Sequence, residues 1–448
     1  MASDLFGEIP QSPDRSGTWE RKGEVRVSRP FRHQPGWELV DLDQLVGVDH
    51  AVRLVWAFVE GLDLSELYAA VKARSDGPGR DAIDPALLLA LWLYATVDGV
   101  GSAREVARLC ERDLPYRWLC GGVGVNHHAL SDFRSGQVAL LDRLLSDSVT
   151  ALVADGLVSL QDLAHDSVKV RASAGSSSYR RRGRLEALRS QMEARVATLR
   201  TELDGAPDAS IRRKKAAQLR ASADRLDRLK RAQARMTELE AARARQRKKD
   251  RVDPKTGKDK PVRVSTTDPS ARIIANPGGE RRPAYSFQIT GDPRTLVAVG
   301  VSVHDGPDAG QIRPALEQIE ARYGTRPATM LADCGFCDKK DIAFAHAFGT
   351  VAIIPSNNEA KRGDLAYATT YQANMAGIRE WRERMVKAET KELYKLRCRI
   401  ECIFGQMRNR GLRLLRLRGR EKVKAEILIH LLAHNMMAGA RLRLAAVA

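Results

Sequence analysis

Residues 160–172, LQDLAHDSVKVRA, alternate with a period of two inside a chain that otherwise reads as helical for long stretches on either side. Ala164, Asp166, Val168, Val170 and Ala172 fall on one face of such a strand, and Ser167, Lys169 and Arg171 on the other. A lone strand leaves its N–H and C=O groups unpaired, so it needs neighbours. The next clear strand signal comes only at residues 284–290. The intervening helical stretch is therefore expected to be an insertion into a sheet whose other strands lie further along. Asp166 interrupts the apolar stripe. Inside a sheet it needs a cation, hydrogen bonds or a metal. At a strand end turned to solvent, in the polar company of Asp162 and His165, it needs none.

Residues 295–304, 328–333 and 350–355 give further strand signals, with amphipathic helical patterns near 310–323 and 338–348. Three meandering strands followed by strand–helix units predict a mixed sheet flanked by helices. The run at 328–332 ends in Asp333-Cys-Gly. This puts a second carboxylate at the carboxyl end of a strand, where open α/β sheets bind ligands, although aspartate there also serves as ordinary turn chemistry.

A third carboxylate lies in residues 394–408, YKLRCRIECIFGQMR. Wound at 3.6 residues per turn, this stretch aligns Tyr394, Arg397, Glu401 and Arg408 on one face, and Leu396, Ile400, Ile403 and Met407 on the other. The apolar stripe predicts a core contact. The polar face reads either as a solvated i, i+4 pair of Arg397 with Glu401 or as part of a site built with the two aspartates.

Before the first strand, Asp84-Pro85 predicts a capped start for the helix ALLLALWLYATVDG, and Ser102 with Glu105 reads as a capping box. Short helices with Arg104, Arg108 and Arg134 suggest either plain helical packing or a helix-turn-helix assembly on DNA. After the strand, Leu185, Leu188, Met192, Val196, Leu199 and Leu203 form one seam, and Leu219, Leu226, Leu229, Met236 and Leu239 another. With a hinge at Gly205 and Pro207, they predict an antiparallel helical hairpin whose outer faces are rich in Arg and Lys.

The 448 residues carry 74 Lys plus Arg against 56 Asp plus Glu, a net charge of +18 that suits a partner rich in phosphate. No apolar run has the length of a membrane span and no signal peptide is legible, so a cytoplasmic, nucleoid-associated protein with no membrane partner is expected. Six cysteines are too sparse for a disulfide scaffold; Cys334-x-x-Cys337 and Cys398-x-x-x-Cys402 lack the glycines of a zinc knuckle. His430 and His434 share a helix face without a zinc-protease glutamate. Neither CGGVGVN nor PKTGK has the spacing of a phosphate loop.

Taken together, these residues resemble the bacterial DDE insertion-sequence transposases, in the branch marked by Tyr, two residues, Arg, three residues, Glu, six residues, Lys. Tyr394, Arg397, Glu401 and Arg408 match that spacing, with Arg for Lys at the last place. HDSVKVRASA is similar to the family's first-aspartate strand, with Ser167 where Gly is usual, and LADCGF to the second-aspartate segment, with Phe336 where Tyr is usual. STTDPSAR with AYSFQI, IECIFGQMRNRGLRLLRLRG with HLLAHNM, and the N-terminal helices ending in ALSDFR resemble further parts. The resemblance implies a ribonuclease H-like α/β fold, a mixed sheet flanked by helices, with an all-α N-terminal domain and a helical-hairpin insertion. The expected division is a flexible arm at 1–35, a helical DNA-binding domain at 36–156, a catalytic domain at 157–179 and 262–448, and the basic hairpin insertion at 180–261.

The same resemblance implies that Asp166, Asp333 and Glu401 are catalytic and hold two Mg²⁺ ions, for which Mn²⁺ can substitute, with Asp166 bridging the pair. Tyr394, Arg397 and Arg408 are then the DNA-binding residues. Hard cations take oxygen ligands, which suits an all-carboxylate set. The expected activity is that of an endonuclease and strand transferase on double-stranded DNA, acting on terminal inverted repeats and target DNA as a homodimer in the DNA complex. Two other expectations stay open: a nuclease of the same fold that cuts without joining, and a non-catalytic DNA-binding relic.

Overall fold

The structure is a computed structural model describing residues 41–448, except 72, 74–80, 207, 246–251, 253–256, 258, 260, 276–279, 357–375 and 448. The arm at 1–35, Pro207 of the hairpin hinge and all of PKTGK but Gly257 lie outside the described residues. Leu42–Ala448 packs as one compact unit.

The chain begins with α1 (Ala51–Glu60), α2 (Ser65–Ala70), α3 (Pro85–Val97), α4 (Ala103–Arg112), α5 (Leu114–Cys120), α6 (His127–Gly136) and α7 (Val138–Ala154). Asp84 caps α3 by accepting the Ala86 N–H, with Pro85 in the first turn. Ser102 accepts the Glu105 N–H at 3.4 Å, but the Glu105 carboxylate pairs with Arg108, so only half of the predicted capping box forms. Gly121, in the left-handed region at φ 53°, closes α5, and Gly122 follows at φ +87°.

Arg134 corrects the DNA-contact reading. It is 6% exposed, its guanidinium lies 4.1 Å from the Trp92 ring centroid, and it donates to the Gly101 carbonyl at 2.8 Å. A cation stacked and bonded inside the helical layer is a packing element. Arg104 and Arg108 remain exposed.

The sheet follows: β1 (Asp162–Arg171), β2 (Tyr179–Arg180), the hairpin helices α8 (Arg182–Asp204) and α9 (Ala209–Ala244), then β3 (Val264–Ser265), β4 (Arg272–Ala275), β5 (Arg281–Gly291) and β6 (Ala298–His304). After these come α10 (Ile312–Tyr323), β7 (Thr329–Ala332), α11 (Lys339–Phe348), β8 (Val351–Ile353), α12 (Ala376–Met385), α13 (Ala388–Tyr394), α14 (Ile400–Asn409) and α15 (Arg420–Val447). β1 lies between antiparallel β5 and parallel β7; β6 extends the antiparallel side beyond β5, and β8 the parallel side beyond β7. This mixed sheet, flanked by helices, is the ribonuclease H-like arrangement.

Both faces are covered. Leu163, Met330, Phe336, Ile342 and Trp381 belong to one core beside α10, α11 and α12. Ala164, Val168, Phe287, Ile289 and Ile403 belong to another, which runs on into Leu89, Trp92 and Leu141 of the N-terminal helices. Helix α15 lies within that second core, with Ile427, Leu428, Leu431 and Leu432 all at 0% exposure, and is pinned by Asn435, whose side chain donates to and accepts from the Ala298 backbone. Gly411, at φ +89°, lies so near Gly99 that a Cβ there would stand 2.9 Å from the Gly99 carbonyl oxygen.

The hairpin forms as the seams predict. Leu185, Leu229, Ala232, Met236 and Val264 are buried together, and Arg182–Glu240 and Lys215–Glu202 ion pairs tie its arms. At about 1.5 Å per residue the arms extend about 35 Å and about 54 Å. Its base is clipped by β2 and β3, Tyr179 opposite Ser265 and Arg180 opposite Val264.

Candidate active site

Sheet register sets the first two carboxylates side by side. In the parallel β1/β7 ladder His165 pairs with Ala332, so Asp166 and Asp333 each directly follow the last paired residues of two adjacent strands. Asp166 is 8% exposed, and its Oδ1 accepts the Ser167 N–H at 2.7 Å. Burial pushes its pKa up to about 6; Arg397 and the Ser167 N–H pull it back, while Asp333 and Glu401 add to the rise. Asp333 accepts the Gly335 N–H at 2.8 Å, a local turn that orients its second oxygen.

The third carboxylate arrives on α14, whose Ile400, Ile403 and Met407 are buried while Glu401 faces out with 59% of its side chain exposed. The helix can lie close to the sheet because β5 ends in glycine: a Cβ on Gly291 would stand 2.8 Å from Ile403 Cδ1. Residues 394–408 are not the continuous α-helix expected from their periodicity. Lys395–Arg399 is a 3₁₀ turn between α13 and α14. Its tighter winding, about 20° more per residue, turns Tyr394 by about 100° relative to Glu401 compared with an unbroken helix.

Arg397 lies on that turn and meets all three carboxylates. Its Nη2 is 2.7 Å from Asp166 Oδ2 and 3.7 Å from Asp333 Oδ2, and its Nη1 is 2.9 Å from Glu401 Oε1. The i, i+4 pair of the polar face exists, and the guanidinium that makes it also meets both aspartates. Burial works against the Arg397 charge, yet Asp166, Asp333 and Glu401 hold its pKa above the ordinary value. Its Nε is buried with no hydrogen-bond partner among the described residues.

Tyr394 is half-buried beside this group; burial raises its phenol pKa, Arg397 lowers it, and Asp333 adds to the rise. Arg408 is exposed seven residues beyond Glu401, roughly 10 Å along the helix, and is not brought to the cluster. The sequence reading missed the two backbone donors, Ser167 N–H and Gly335 N–H. Asp-x-Gly at 333–335 is the signal that marks the second.

The donor set, three carboxylates converging on one cation, fits a hard divalent ion. With the Arg397 guanidinium between them, no group of three His, Cys, Asp or Glu side chains among the described residues closes to metal-binding distances. That holds for the cysteines too: Cys398 and Cys402 are exposed, and Cys334 and Cys337 partly buried. His434 is buried against the Leu296 carbonyl at 2.7 Å, as suits a packing residue. Among the described residues no helix is long and apolar enough to cross a membrane.

The class this architecture defines is the ribonuclease H-like proteins with an acidic cluster on β1, after β7 and on a following helix. Residues 259–436 match the family model of a transposase DDE domain, and residues 40–136 that of a transposase domain (DUF772). The chain belongs to the DDE transposases of insertion sequences. Asp333 and Glu401 fall inside the first match; Asp166 precedes it, on the far side of the hairpin. No curated protein and no solved structure matches the chain significantly.

Proposed function

We propose that this transposase binds the terminal inverted repeats of its element and carries out both metal-dependent end cleavage and strand transfer at Asp166, Asp333 and Glu401. One observation carries the reading: three carboxylates from a strand, a strand end and a helix meet at a single guanidinium. Asp166 and Asp333 would hold divalent ions from the sheet side and Glu401 from the helix side. When bound, two Mg²⁺ ions supply nucleophile activation and stabilisation of the leaving oxygen. Tyr394 and Arg397 position the scissile phosphate, and Arg408 holds the element's end; Arg keeps the charge of the signature Lys but changes its geometry. Arg397, which here pairs with all three carboxylates, would be free to bind phosphate once ions took over those carboxylates.

In the first reaction water attacks the end phosphodiester, one P–O bond forms and one breaks, and a 3′-OH is freed. In the second that 3′-OH attacks a target phosphodiester, whose own 3′-oxygen leaves. No covalent enzyme intermediate is needed. The N-terminal helices read the repeats, and a homodimer pairs the two ends. The test is a strand-transfer assay with pre-cut ends and Mg²⁺: joined product supports the reading, and cleavage of uncut ends without joining would reduce it to a nuclease.

A further inference from the structure

Between α14 and α15 the chain reads RNRGLRLLRLRGR, with arginine at 408, 410, 413, 416, 418 and 420. This is not a loose charged loop. Leu412 and Leu415 are buried at 2% and 0%, while Arg413, Arg416, Arg418 and Arg420 are exposed. The backbone is fixed where Leu415 N–H donates to the Arg171 carbonyl at 2.8 Å and where the Arg416 and Leu417 N–H groups donate to the buried Glu426 carboxylate, and the Arg418 side chain donates through Nε to the Ser173 carbonyl at 2.9 Å. Leucines clamp the segment to the core, and the guanidinium groups stand outward along a path that starts at the Glu401 helix.

Where that path ends, it meets the hairpin. A groove of about 470 Å³ lies between α9 and the start of α15, with Arg228, Arg231, Arg235, Arg418, Arg420 and Lys422 among its walls. Its carboxylates are Glu238 and Asp305, and Asp305 is already paired with Arg235 and, at 3.5 Å, with Arg420. Six cations against two acids are spread along two opposing walls instead of converging on one point. That distribution suits an extended polyanion more than a single small anion, and a concave groove does not seat on a flat bilayer.

We infer that the phosphate backbone of duplex DNA seats in this groove and follows the arginine track toward Glu401, so that the hairpin and the catalytic domain grip one stretch of DNA together. The inference rests on the transposase reading above and names where its DNA lies.

The test is metal-free binding of the full chain to a short fluorescein-labelled duplex of arbitrary sequence across a salt series. Each lost phosphate contact lowers the slope of log affinity against log salt by about 0.9. Arg228→Ala/Arg418→Ala/Lys422→Ala should lower it by about 2.7, and Arg228→Gln/Arg231→Gln, which alters only the hairpin wall, by about 1.8. Arg212→Ala/Arg213→Ala/Lys214→Ala, an equal charge change near the other end of α9, should lower it by less than one contact. Equal losses in the groove and control triples, or no loss in either groove variant, would overturn the inference. Tighter binding of single-stranded RNA than of duplex, lost with the same residues, would overturn duplex DNA as the partner. The two readings fail separately: slope losses confined to the groove variants support the groove whether or not the wild type cleaves DNA, while cleavage with unchanged slopes overturns the groove alone.

Discussion

Arg397 Nη2 donates to Asp166 Oδ2 at 2.7 Å, joining residues 231 positions apart in sequence. The aspartate of β1 is buried, so it needs a partner, and finds it on a 3₁₀ turn contributed from near the other end of the chain. The same guanidinium bonds Glu401, so one cation offsets the mutual repulsion of the carboxylates.

Replacing that cation tests the arrangement. Arg397→Gln leaves Asp166 buried without its opposing charge and should lower metal-free stability by roughly 3 kcal/mol, the scale for breaking one side of a buried pair. Divalent ions should then raise the melting temperature of the variant more than that of the wild type, because binding to the native state offsets the unshielded carboxylates. Unchanged metal-free stability would show that Arg397 does not hold the cluster.

The seat of α14, the helix that carries Glu401, gives a second test. Gly291→Ala brings a Cβ within 2.8 Å of Ile403 Cδ1 and 3.2 Å of the Val297 carbonyl oxygen. Overpacking of this kind costs roughly 1–3 kcal/mol. Adding Ile403→Val, which removes Cδ1, should recover most of the loss in stability and in DNA cleavage. A double variant no better than Gly291→Ala would locate the strain elsewhere.

Much of this site is legible in the sequence. The period-two pattern at 160–172 and the apolar stripe of Ile400, Ile403 and Met407 put Asp166 in line with the apolar face of its strand and Glu401 opposite the apolar face of its helix, but leave open whether either meets a partner. What periodicity does not carry is the 3₁₀ turn at Lys395–Arg399, whose winding serves a contact with a strand far away in sequence. Nor does it reveal β4, four residues on the sheet margin paired only with the first residues of β5, or the two-residue β2 and β3, too short to show a period. Arg134 looked like a surface cation because its partner, the Trp92 ring, belongs to a different helix.

Acid should weaken the protein through His434. Burial lowers its pKa from the usual 6.5 to about 4, so it stays neutral in the native state while the unfolded chain takes up a proton. Its contribution is fully present above pH 6.5 and is lost as pH falls toward 4. Between pH 7 and pH 5 the loss should be about 2 kcal/mol, measurable by denaturant titration. Burial lowers the pKa of His165 to about 4 and of His430 to about 3 as well, so His434→Gln, neutral at every pH, should remove only its own share of the acid loss; a profile unchanged by His434→Gln would show that His434 makes no such contribution.

The most direct measurement is cleavage of the element's ends in Mg²⁺ by wild type and Glu401→Gln side by side, with DNA binding recorded for both. Glutamine keeps the shape of the side chain and removes the charge, so it isolates a metal ligand from a surface ion pair worth at most about 1 kcal/mol. Losing several kcal/mol of charge stabilisation in the transition state should slow cleavage by roughly three orders of magnitude or more, with binding nearly unchanged. A Glu401→Gln protein that cuts the ends at close to the wild-type rate would contradict the site proposed here.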